Sequence, residues 1–507
     1  MNKFWKQFKS GTDVRGVAVE GVEGQVYNLT DEVIEKITAG FLFWLSEKLR
    51  KPCAELTVAV GHDSRISAQR IKAAVLRSFS LAGVKAYDCG LSSTPSMFMT
   101  TVELGCDGAV QITASHHPYY RNGLKFFTRD GGLDGKDLDA VLNNAQEERF
   151  PESAETGTLE TVDFMKIYAK GLRDLICKGV NADDYEHPLK GYKIVVDAGN
   201  GAGGFYAKDV LEPLGADITG SQFLEPDGYF PNHIPNPEDE TAMQAVCRAT
   251  VQAGADLGVI FDTDVDRGGC VDQHGGEINR NRLVALASAI ALDGNQGGTV
   301  VTDSITSDGL KMFIEQDLGG KHRRFKRGYK NVINEAIRLN KEGVNSPLAI
   351  ETSGHAAFRE NYFLDDGAYL ITKIIIKMAL LGKQGKKLDN LIGALRQPKE
   401  SAEVRMEITA EDFRTYGEMV IEKLEWYAQG QKGWTVAQDS CEGVRVSFDK
   451  DNGSGWFLLR LSVHDPIMPL NIESDVEGGV KIIAQKLYVF IQNCGGLESQ
   501  SLARQCK

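Results

Sequence analysis

Apolar, β-branched runs that end in a small-residue loop carrying an acid recur three times, and helical sequence follows each of them. These runs are LTVAVGHDSR at 56–65, YKIVVDAGNGAGG at 192–204 and GTVVTDSITSDG at 298–309. The order of strand, turn and helix predicts α/β units whose sheets are at least partly parallel. Functional loops in such units lie at the carboxyl ends of the strands. We therefore expect the chemistry in the loops that follow these apolar runs.

The carboxyl-terminal part of the chain has a different pattern. The polar, proline-bearing LRQPKES at 395–401 predicts a linker, and the alternating segments AEVRMEIT, GVRVSF and GWFLLRLSV follow it. Val480, Ile483, Ala484 and Leu487 fall at i, i+3, i+4 and i+7, so they share one face of a helix. These patterns predict a smaller α+β domain that closes the chain.

Length and charge narrow the classes of function. At 507 residues the chain is several times the usual domain length, which favours three or four domains. A formal net charge of -13 would repel nucleic-acid backbones and anionic membranes, so we expect neither as a partner. The basic run KHRRFKR at 321–327 is a local exception, and it fits either a solvated face or a surface that meets phosphate.

Cysteine usage and apolar runs bear on the cellular compartment. The nine cysteines are scattered and form no CxxC pair, as expected in a reducing compartment. The first residues, MNKFWKQFKSG, lack the apolar segment of a signal peptide. Internal runs such as LVALASAIAL are shorter than the roughly 20 residues that cross a bilayer. We therefore expect a cytoplasmic protein.

Three aspartates follow an apolar strand in GVIFDTDVDRGG. Asp262, Asp264 and Asp266 alternate, so their carboxylates can converge on one side, where they repel one another unless a cation lies among them. Oxygen-only ligands favour Mg²⁺. An EF-hand calcium loop is not expected, because Arg267 stands at its glycine position and Gln273 at its glutamate position. The alternative is a set of solvated turn aspartates.

Ser115 lies in QITASHHPYYRNGLKFF, between two apolar stretches. It fits a local turn before Pro118, while a serine hydrolase is disfavoured because no GxSxG elbow surrounds it. A third interpretation is phosphoryl transfer through a phosphoserine, with a phosphate oxygen as a further ligand of Mg²⁺. Lys125 is then the candidate proton shuttle, if burial or a cationic neighbour such as Arg121 favours its neutral form. The residues alone leave these alternatives open.

Two later strand ends carry groups suited to a sugar phosphate. Glu351 and Ser353, in AIETSGHAAF, are spaced for hydrogen bonding to neighbouring sugar hydroxyls. In LLRLSVHDP, Arg460, Ser462 and His464 alternate onto one face, and arginine with hydroxyl donors is a common phosphate clamp. The alternative for this second group is an exposed strand face.

Together these loops resemble those of the α-D-phosphohexomutase family, the phosphoglucomutases and phosphomannomutases. The family's serine loop, TASHNP followed by NGxK, is similar to TASHHPYYRNGLK. Its metal loop, DxDxDR, is similar to DTDVDR, and its sugar loop, ExSGH, to ETSGH. SGTDVRG at 10–16 and GHDSR at 61–65 also resemble family segments, and the order of the loops fits over essentially the whole chain.

The resemblance implies four domains around a central cleft, three α/β domains with mixed sheets and a C-terminal α+β domain. The expected boundaries are 1–160 with the phosphoserine loop, 161–277 with the metal loop, 278–396 with the sugar loop and 397–507 with the phosphate-binding loop. Each domain would contribute one loop to the cleft.

The resemblance also implies roles for individual residues. Ser115 would carry the phosphoryl group, with Lys125, His116 and Arg15 as further catalytic residues. The metal ligands would be Ser115, Asp262, Asp264 and Asp266; the substrate-binding residues Arg65, Arg267, Tyr329, Lys330, Glu351, Ser353 and His355; and the phosphate-binding residues Arg460, Ser462 and His464.

The implied activity is interconversion of hexose 1-phosphate and hexose 6-phosphate, of mannose or glucose, through a phosphoserine enzyme and a hexose 1,6-bisphosphate. The implied cofactors are Mg²⁺ and the bisphosphate as activator, and the implied protein is a monomer or weak homodimer. The alternatives are a mutase for glucosamine or N-acetylglucosamine phosphate and a catalytically silent sugar-phosphate-binding relative. His117 departs from the family's usual asparagine, and Val463 and His464 replace the glycine and threonine of its terminal loop.

Overall fold

A computed structural model describes residues 1–151, 153, 155–438, 440–462 and 465–507. They form two compact units. The first comprises Met1–Ala291 and Ser353–Leu391, and the second comprises Leu292–Thr352 and Ile392–Lys507. Val463 and His464, which the sequence singles out, lie outside the described residues. None of the helices in the described part of the chain combines the length and apolar character needed to cross a bilayer.

A mixed sheet dominates the amino-terminal part of the first unit. Its strands are β1 (Lys9–Ser10), β2 (Asp13–Val17), β3 (Thr57–His62), β4 (Lys85–Leu91), β5 (Gly108–Ile112), β6 (Arg121–Thr128), β7 (Gly131–Gly132) and β8 (Thr158–Thr161). The helices are α1 (Lys3–Lys6), α2 (Asp31–Leu49), α3 (Ala68–Leu81), α4 (Thr94–Glu103), α5 (Gly135–Gln146) and α6 (Phe164–Val180). β3 lies parallel to β4 and β5, while β6 lies antiparallel to β5 and β2. The loop between β5 and β6 carries Ser115.

A second sheet in the same unit carries the aspartates. It consists of β9 (Ile194–Asp197), β10 (Leu257–Phe261), β11 (Gly268–Asp272) and β12 (Glu277–Ile278), with helices α7 (Glu240–Ala253) and α8 (Arg280–Leu292). β10 is parallel to β9 and antiparallel to β11. The aspartate segment 262–267 is therefore the turn of a hairpin whose two strands are fully buried.

The third region contributes to both units. Its elements are β13 (Thr299–Asp303), α9 (Asp308–Met312), β14 (Lys321–Phe325), α10 (Tyr329–Lys341), β15 (Leu348–Ile350), β16 (Ala356–Phe358), β17 (Leu364–Asp365), α11 (Gly367–Gly382) and α12 (Asp389–Ile392). In the second unit β13 lies parallel to both β14 and β15. The basic run includes β14, where Arg323 pairs with Glu335 at 3.1 Å and Arg324 with Asp308 at 2.8 Å. These two arginines are thus engaged within the unit.

The carboxyl-terminal region is an antiparallel sheet with helices. Its strands are β18 (Glu400–Glu407), β19 (Trp434–Val436), β20 (Val444–Phe448), β21 (Gly455–Leu459) and β22 (Ile467–Ser474), in the order β18-β22-β21-β20-β19, and its helices are α13 (Phe413–Gln429), α14 (Gly479–Ile491) and α15 (Gln500–Gln505). The predicted stripe of Val480, Ile483, Ala484 and Leu487 is buried in the core of this region. The predicted α+β character is confirmed. Short 3-10 segments occur at Cys53–Glu55, Glu212–Leu214 and Arg359–Asn361, and π-helical segments at Tyr206–Leu211 and Phe313–Asp317.

Candidate active site

Ser115 occupies an unusual backbone conformation in the loop after β5. Its φ is +48°, in the left-handed region, which costs an ordinary residue roughly 1–2 kcal/mol. The Ser115 N–H donates to the Thr113 hydroxyl at 2.9 Å, which ties the turn locally. The Ser115 hydroxyl donates to Asp262 Oδ2 at 3.0 Å. The serine loop and the aspartate hairpin of the first unit therefore meet at this side chain.

Arg65 lies beneath the serine loop and is only 2% exposed. Its Nη1 donates to the carbonyls of Pro118 and Arg121 at 2.8 and 3.0 Å, and its Nη2 donates to those of His117, at 2.6 Å, and Ser115. Its Nε donates to the Asp63 carboxylate at 3.2 Å. All five N–H groups of the guanidinium are thus committed, and four of them hold the backbone that carries the serine.

Replacing Arg65 with lysine should lower kcat by about 10²-fold with little change in KM, because a lysine cannot hold four carbonyls and small displacements of a reacting group are costly. The matched control is Arg70→Lys, since Arg70 donates to the carbonyls of Ala18 and Leu29 away from Ser115. Steady-state kinetics of both variants provides the measurement. A rise in KM alone for Arg65→Lys would instead place Arg65 in contact with substrate.

Asp262, Asp264 and Asp266 are buried together at the hairpin turn, with exposures of 0%, 0% and 1%. Each offers a carboxylate oxygen, and these three oxygens lie within 4.8 Å of one another. Burial and the charges of Asp266 and Asp264 raise the pKa of Asp262 well above its ordinary value. Such repulsion is what a divalent cation relieves.

Some carboxylate oxygens of these three aspartates accept hydrogen bonds, and others do not. Asp262 accepts from Ser115 and from the backbone and Nε of Arg267. In contrast, Asp264 Oδ1 and Asp266 Oδ1 are buried and accept no hydrogen bond from any described residue. Two buried, unsatisfied carboxylate oxygens fit the demands of a hard cation, whose preferred ligands are oxygens. The residues present therefore fit the metal site that the sequence predicts.

Lys125 projects from β6 onto the same carboxylates. Its ammonium group donates to Asp264 Oδ2 at 3.1 Å and to Asp266 Oδ2, and the residue is 4% exposed. Two of the three aspartates that the sequence predicts as metal ligands therefore hold the Lys125 side chain in this structure. The sequence predicts Lys125 as a catalytic residue, but it does not show that this lysine contacts Asp264 and Asp266.

Arg267 links the serine to a second loop of the first unit. Its Nη2 donates to the Ser115 hydroxyl at 3.1 Å and to His116 Nδ1 at 2.8 Å, while Nη1 donates to Asn236 Oδ1 at 3.0 Å. Burial, followed by the charge of Arg267, lowers the pKa of His116 to about 2. His116 is therefore neutral at physiological pH. It stacks on His117 with ring centroids 5.1 Å apart.

His355 approaches the aspartates from the loop before β16. Its Nδ1 lies 2.5 Å from Asp365 Oδ2 and 4.0 Å from Asp266 Oδ1. Burial opposes its charge, but the carboxylates of Asp365 and Asp266 outweigh that effect and raise the pKa of His355 to about 9. Ser353, in the same loop, is 7% exposed, and its hydroxyl has no hydrogen-bond partner among the described residues.

In the second unit, two carboxylates accept consecutive backbone N–H groups just before α10. Glu351 accepts from the N–H of Gly328 at 2.6 Å, and Glu442 accepts from that of Arg327 at 3.0 Å. Glu442 also accepts a hydrogen bond from the Ser304 hydroxyl. This turn is the one in which the sequence predicts substrate contacts.

Arg460 and Ser462 follow β21 in the second unit. Their N–H groups donate to the carbonyls of Pro469 and Ile467, at 3.1 and 3.0 Å. Burial, followed by the charge of Arg327, lowers the pKa of Arg460, and its Nε has no hydrogen-bond partner among the described residues. The arrangement leaves a buried donor of the kind that a phosphate oxygen satisfies.

Of the remaining predicted residues, Arg15 supports the strand that leads into the serine loop. It is 5% exposed and donates to the Thr113 carbonyl at 2.9 Å and to the Asp13 carboxylate at 2.8 Å. Tyr329 and Lys330 are the first residues of α10, and both are half-buried.

Sequence reasoning missed several residues that contact the predicted site segments, three in the first unit and one in the second. They are Thr94 on Asp264, Asp365 on His355, Asn236 on Arg267 and Glu442 on Arg327. Ser93-Thr94-Pro95 has the cap and proline of a helix start, and Asp365 belongs to an acidic pair. Neither signal identifies a partner that lies far away in the sequence.

Known proteins are similar to this chain over most of its length. Phosphoglucomutase/phosphomannomutase α/β/α domain models match residues 9–152 (domain I), 168–276 (domain II) and 279–398 (domain III). A phosphomannomutase/phosphoglucomutase of Pseudomonas syringae pv. tomato is 28% identical over 90% of this chain and 92% of its own. A phosphoglucomutase/phosphomannomutase of Thermococcus kodakarensis is 28% identical over 94% of this chain and 98% of its own.

A solved structure supports the same conclusion. The crystal structure of a phosphoglucomutase/phosphomannomutase family protein from Burkholderia thailandensis is 25% identical, with a TM-score of 0.78 over 97% of this chain and 98% of that one. Three α/β domains followed by an α+β domain are thus confirmed, as is the resemblance to the phosphoglucomutase and phosphomannomutase family. The chain is a phosphohexomutase, an isomerase, and it belongs to the phosphoglucomutase/phosphomannomutase family.

Proposed function

We propose that this mutase moves a phosphoryl group between O1 and O6 of mannose and glucose phosphates, with Ser115 as the carrier. The observation that carries the proposal is the setting of the Ser115 hydroxyl, 3.0 Å from Asp262 and 3.1 Å from the Arg267 guanidinium. A nucleophile between a buried acidic cluster and an arginine suits the transfer of a group whose charge must be neutralised.

In the proposed reaction, phosphorylated Ser115 gives its phosphoryl group to the free hydroxyl of the sugar monophosphate. The phosphorus–oxygen bond to serine breaks, a bond to the sugar oxygen forms, and the hydroxyl proton leaves, which produces a hexose 1,6-bisphosphate. The bisphosphate then reorients by about half a turn within the site, so that its other phosphate faces Ser115. Ser115 takes back that phosphoryl group, and the sugar oxygen is left as a hydroxyl. The bisphosphate therefore also serves as the activator that phosphorylates a resting enzyme.

Lys125 receives the sugar proton in this proposal, as the sequence predicts. The hydrogen bonds that it donates to Asp264 and Asp266 hold its side-chain nitrogen beside these carboxylates. A lysine accepts a proton only as the neutral amine, so these two hydrogen bonds would have to be released before the transfer. Arg267 stays on the serine oxygen and offsets charge that develops there during transfer.

Asp262, Asp264 and Asp266 would hold Mg²⁺, together with an oxygen of the group on Ser115. When bound, Mg²⁺ polarises that phosphoryl group and neutralises part of its charge. The proposal is supported by the two buried carboxylate oxygens that accept no hydrogen bond from the described residues.

The remaining site residues are proposed to recognise the sugar and its second phosphate. Glu351 and Ser353 would bind sugar hydroxyls, and Arg460 with Ser462 would bind the phosphate that is not transferred. The unsatisfied Arg460 Nε supports this assignment. All nine cysteines are free thiols, which supports a reducing cytoplasmic setting. We propose a monomer or weak homodimer as well.

A comparison of kcat/KM on glucose 1-phosphate, mannose 1-phosphate and glucosamine 1-phosphate, with bisphosphate present, tests the choice of substrate. The relatives' names predict higher values for glucose and mannose than for the amino sugar. Turnover of the amino sugar alone would establish the alternative mutase activity. No turnover of any of the three by a folded protein would favour a silent relative.

A further inference from the structure

Thr94, the first residue of α4, makes two hydrogen bonds to a single residue of the aspartate hairpin. Its N–H donates to the Asp264 carbonyl at 2.8 Å, and its hydroxyl donates to Asp264 Oδ2 at 2.5 Å. Thr94 is 3% exposed, and 170 residues separate it from Asp264. The first N–H groups of a helix have no partner within the helix, so the Asp264 carbonyl satisfies one that would otherwise stay unpaired.

The two oxygens of the Asp264 carboxylate have different surroundings. Oδ2 accepts from Thr94 and from Lys125, at 2.5 and 3.1 Å, whereas Oδ1 is buried and accepts from none of the described residues. A carboxylate held by two donors at one oxygen cannot rotate freely about its χ2 angle. The other oxygen is thereby kept in one direction.

We propose that Thr94 is a positioning residue, which fixes the Asp264 carboxylate so that Oδ1 faces the metal. This inference rests on the proposed metal site. Residues that hydrogen-bond to a metal ligand and orient it contribute to metal affinity, and losing one typically weakens metal binding by about 10–100-fold. Lys125 supplies the second donor, but its four-carbon stem is flexible. The Thr94 side chain is short, and its backbone is fixed as the first residue of a helix.

A purely structural role is the competing explanation, because Thr94 also joins α4 to the hairpin through its backbone. Thr94→Val separates the two explanations. Valine keeps the shape and the N–H bond to the Asp264 carbonyl, and it removes only the hydroxyl. Thr94→Ser restores the hydroxyl and is the conservative rescue.

The experiment is a titration of the purified full-length protein with Mn²⁺, in which electron paramagnetic resonance detects the free ion. Mn²⁺ accepts the same oxygen ligands as Mg²⁺. Thr101→Val is the matched control, since Thr101 lies on the same helix, is 0% exposed and donates only locally, to the Phe98 carbonyl at 2.8 Å. All variants are brought to the same phosphorylation state, checked by intact mass.

We expect Thr94→Val to raise the Mn²⁺ dissociation constant by about tenfold or more, with Thr94→Ser and Thr101→Val close to the unaltered protein. Equal Mn²⁺ binding by Thr94→Val and the unaltered protein would overturn the proposal. So would an equal loss in Thr101→Val. Loss of the folded state in both Thr94→Val and a second variant without the hydroxyl, Thr94→Ala, would overturn it as well, because the residue would then act on the fold. Mn²⁺ binding that Asp264→Asn leaves unchanged would instead overturn the metal site itself, and the role of Thr94 with it.

Discussion

Replacing Ser115 with alanine is expected to abolish mutase turnover, because the variant has no oxygen to carry the phosphoryl group. Removal of a nucleophilic serine costs on the order of 10⁶-fold in kcat in a serine protease, and a loss of that size is expected here. The fold should survive, since the side chain is small and Arg65 still holds the loop carbonyls. A coupled mutase assay measures the loss.

Intact mass gives an independent reading of the same variant. The unaltered protein incubated with hexose 1,6-bisphosphate should gain one phosphate, and Ser115→Ala should gain none. Ser92→Ala is the matched control, since Ser92 is also buried in the first unit and its hydroxyl donates to the Cys89 carbonyl rather than to an aspartate. Near-normal turnover by Ser115→Ala would contradict the proposed phosphoserine mechanism.

The second large effect is expected from Asp264→Asn, which removes a charge but keeps the shape of the side chain. The change removes the negative charge shared by the buried Oδ1, which accepts no hydrogen bond from the described residues. Outer-sphere changes alone cost about 10–100-fold in metal affinity or activity, so loss of a direct ligand should lower kcat/KM by more than about 100-fold. The Mg²⁺ concentration that gives half the maximal rate should also rise, as rates measured across a series of Mg²⁺ concentrations would show.

Asp272→Asn provides the control for this change. Asp272 ends β11, is 6% exposed and accepts from the N–H groups of His274 and Gly276 at 2.9 and 2.8 Å. Its replacement therefore measures the effect of removing a buried carboxylate charge outside the aspartate segment 262–267. An unchanged Mg²⁺ requirement in Asp264→Asn would contradict the assignment of this aspartate as a ligand.

Much of the fold follows from short-range patterns. The apolar runs at 56–65 and 298–309 contain β3 and β13, and the apolar run before Asp262 is β10. Strands and helices were predictable at these places because burial imposes periodicity on neighbouring residues. The aspartates were predictable for a similar reason, since three acids directly after a buried strand need a cation or water.

The supporting contacts were not predictable in this way. Nothing in GHDSR indicates that Arg65 turns beneath the serine loop, because the carbonyls it binds acquire their positions only when β5 and β6 pair. Thr94 reaches Asp264 across 170 residues, and a single sequence holds no record of such a pairing. Local chemistry was therefore visible in the sequence, while the groups that orient it depend on tertiary contacts.

The left-handed backbone of Ser115 also restricts how this enzyme can evolve. Threonine carries the same hydroxyl, and a phosphothreonine would serve the same chemistry. Its branched Cβ, however, is poorly tolerated at a φ of +48°. Glycine and asparagine accept that conformation but offer no nucleophilic oxygen. If Ser115 is the phosphoryl carrier, as proposed, the loop would confine that role to serine through backbone geometry as well as through reactivity.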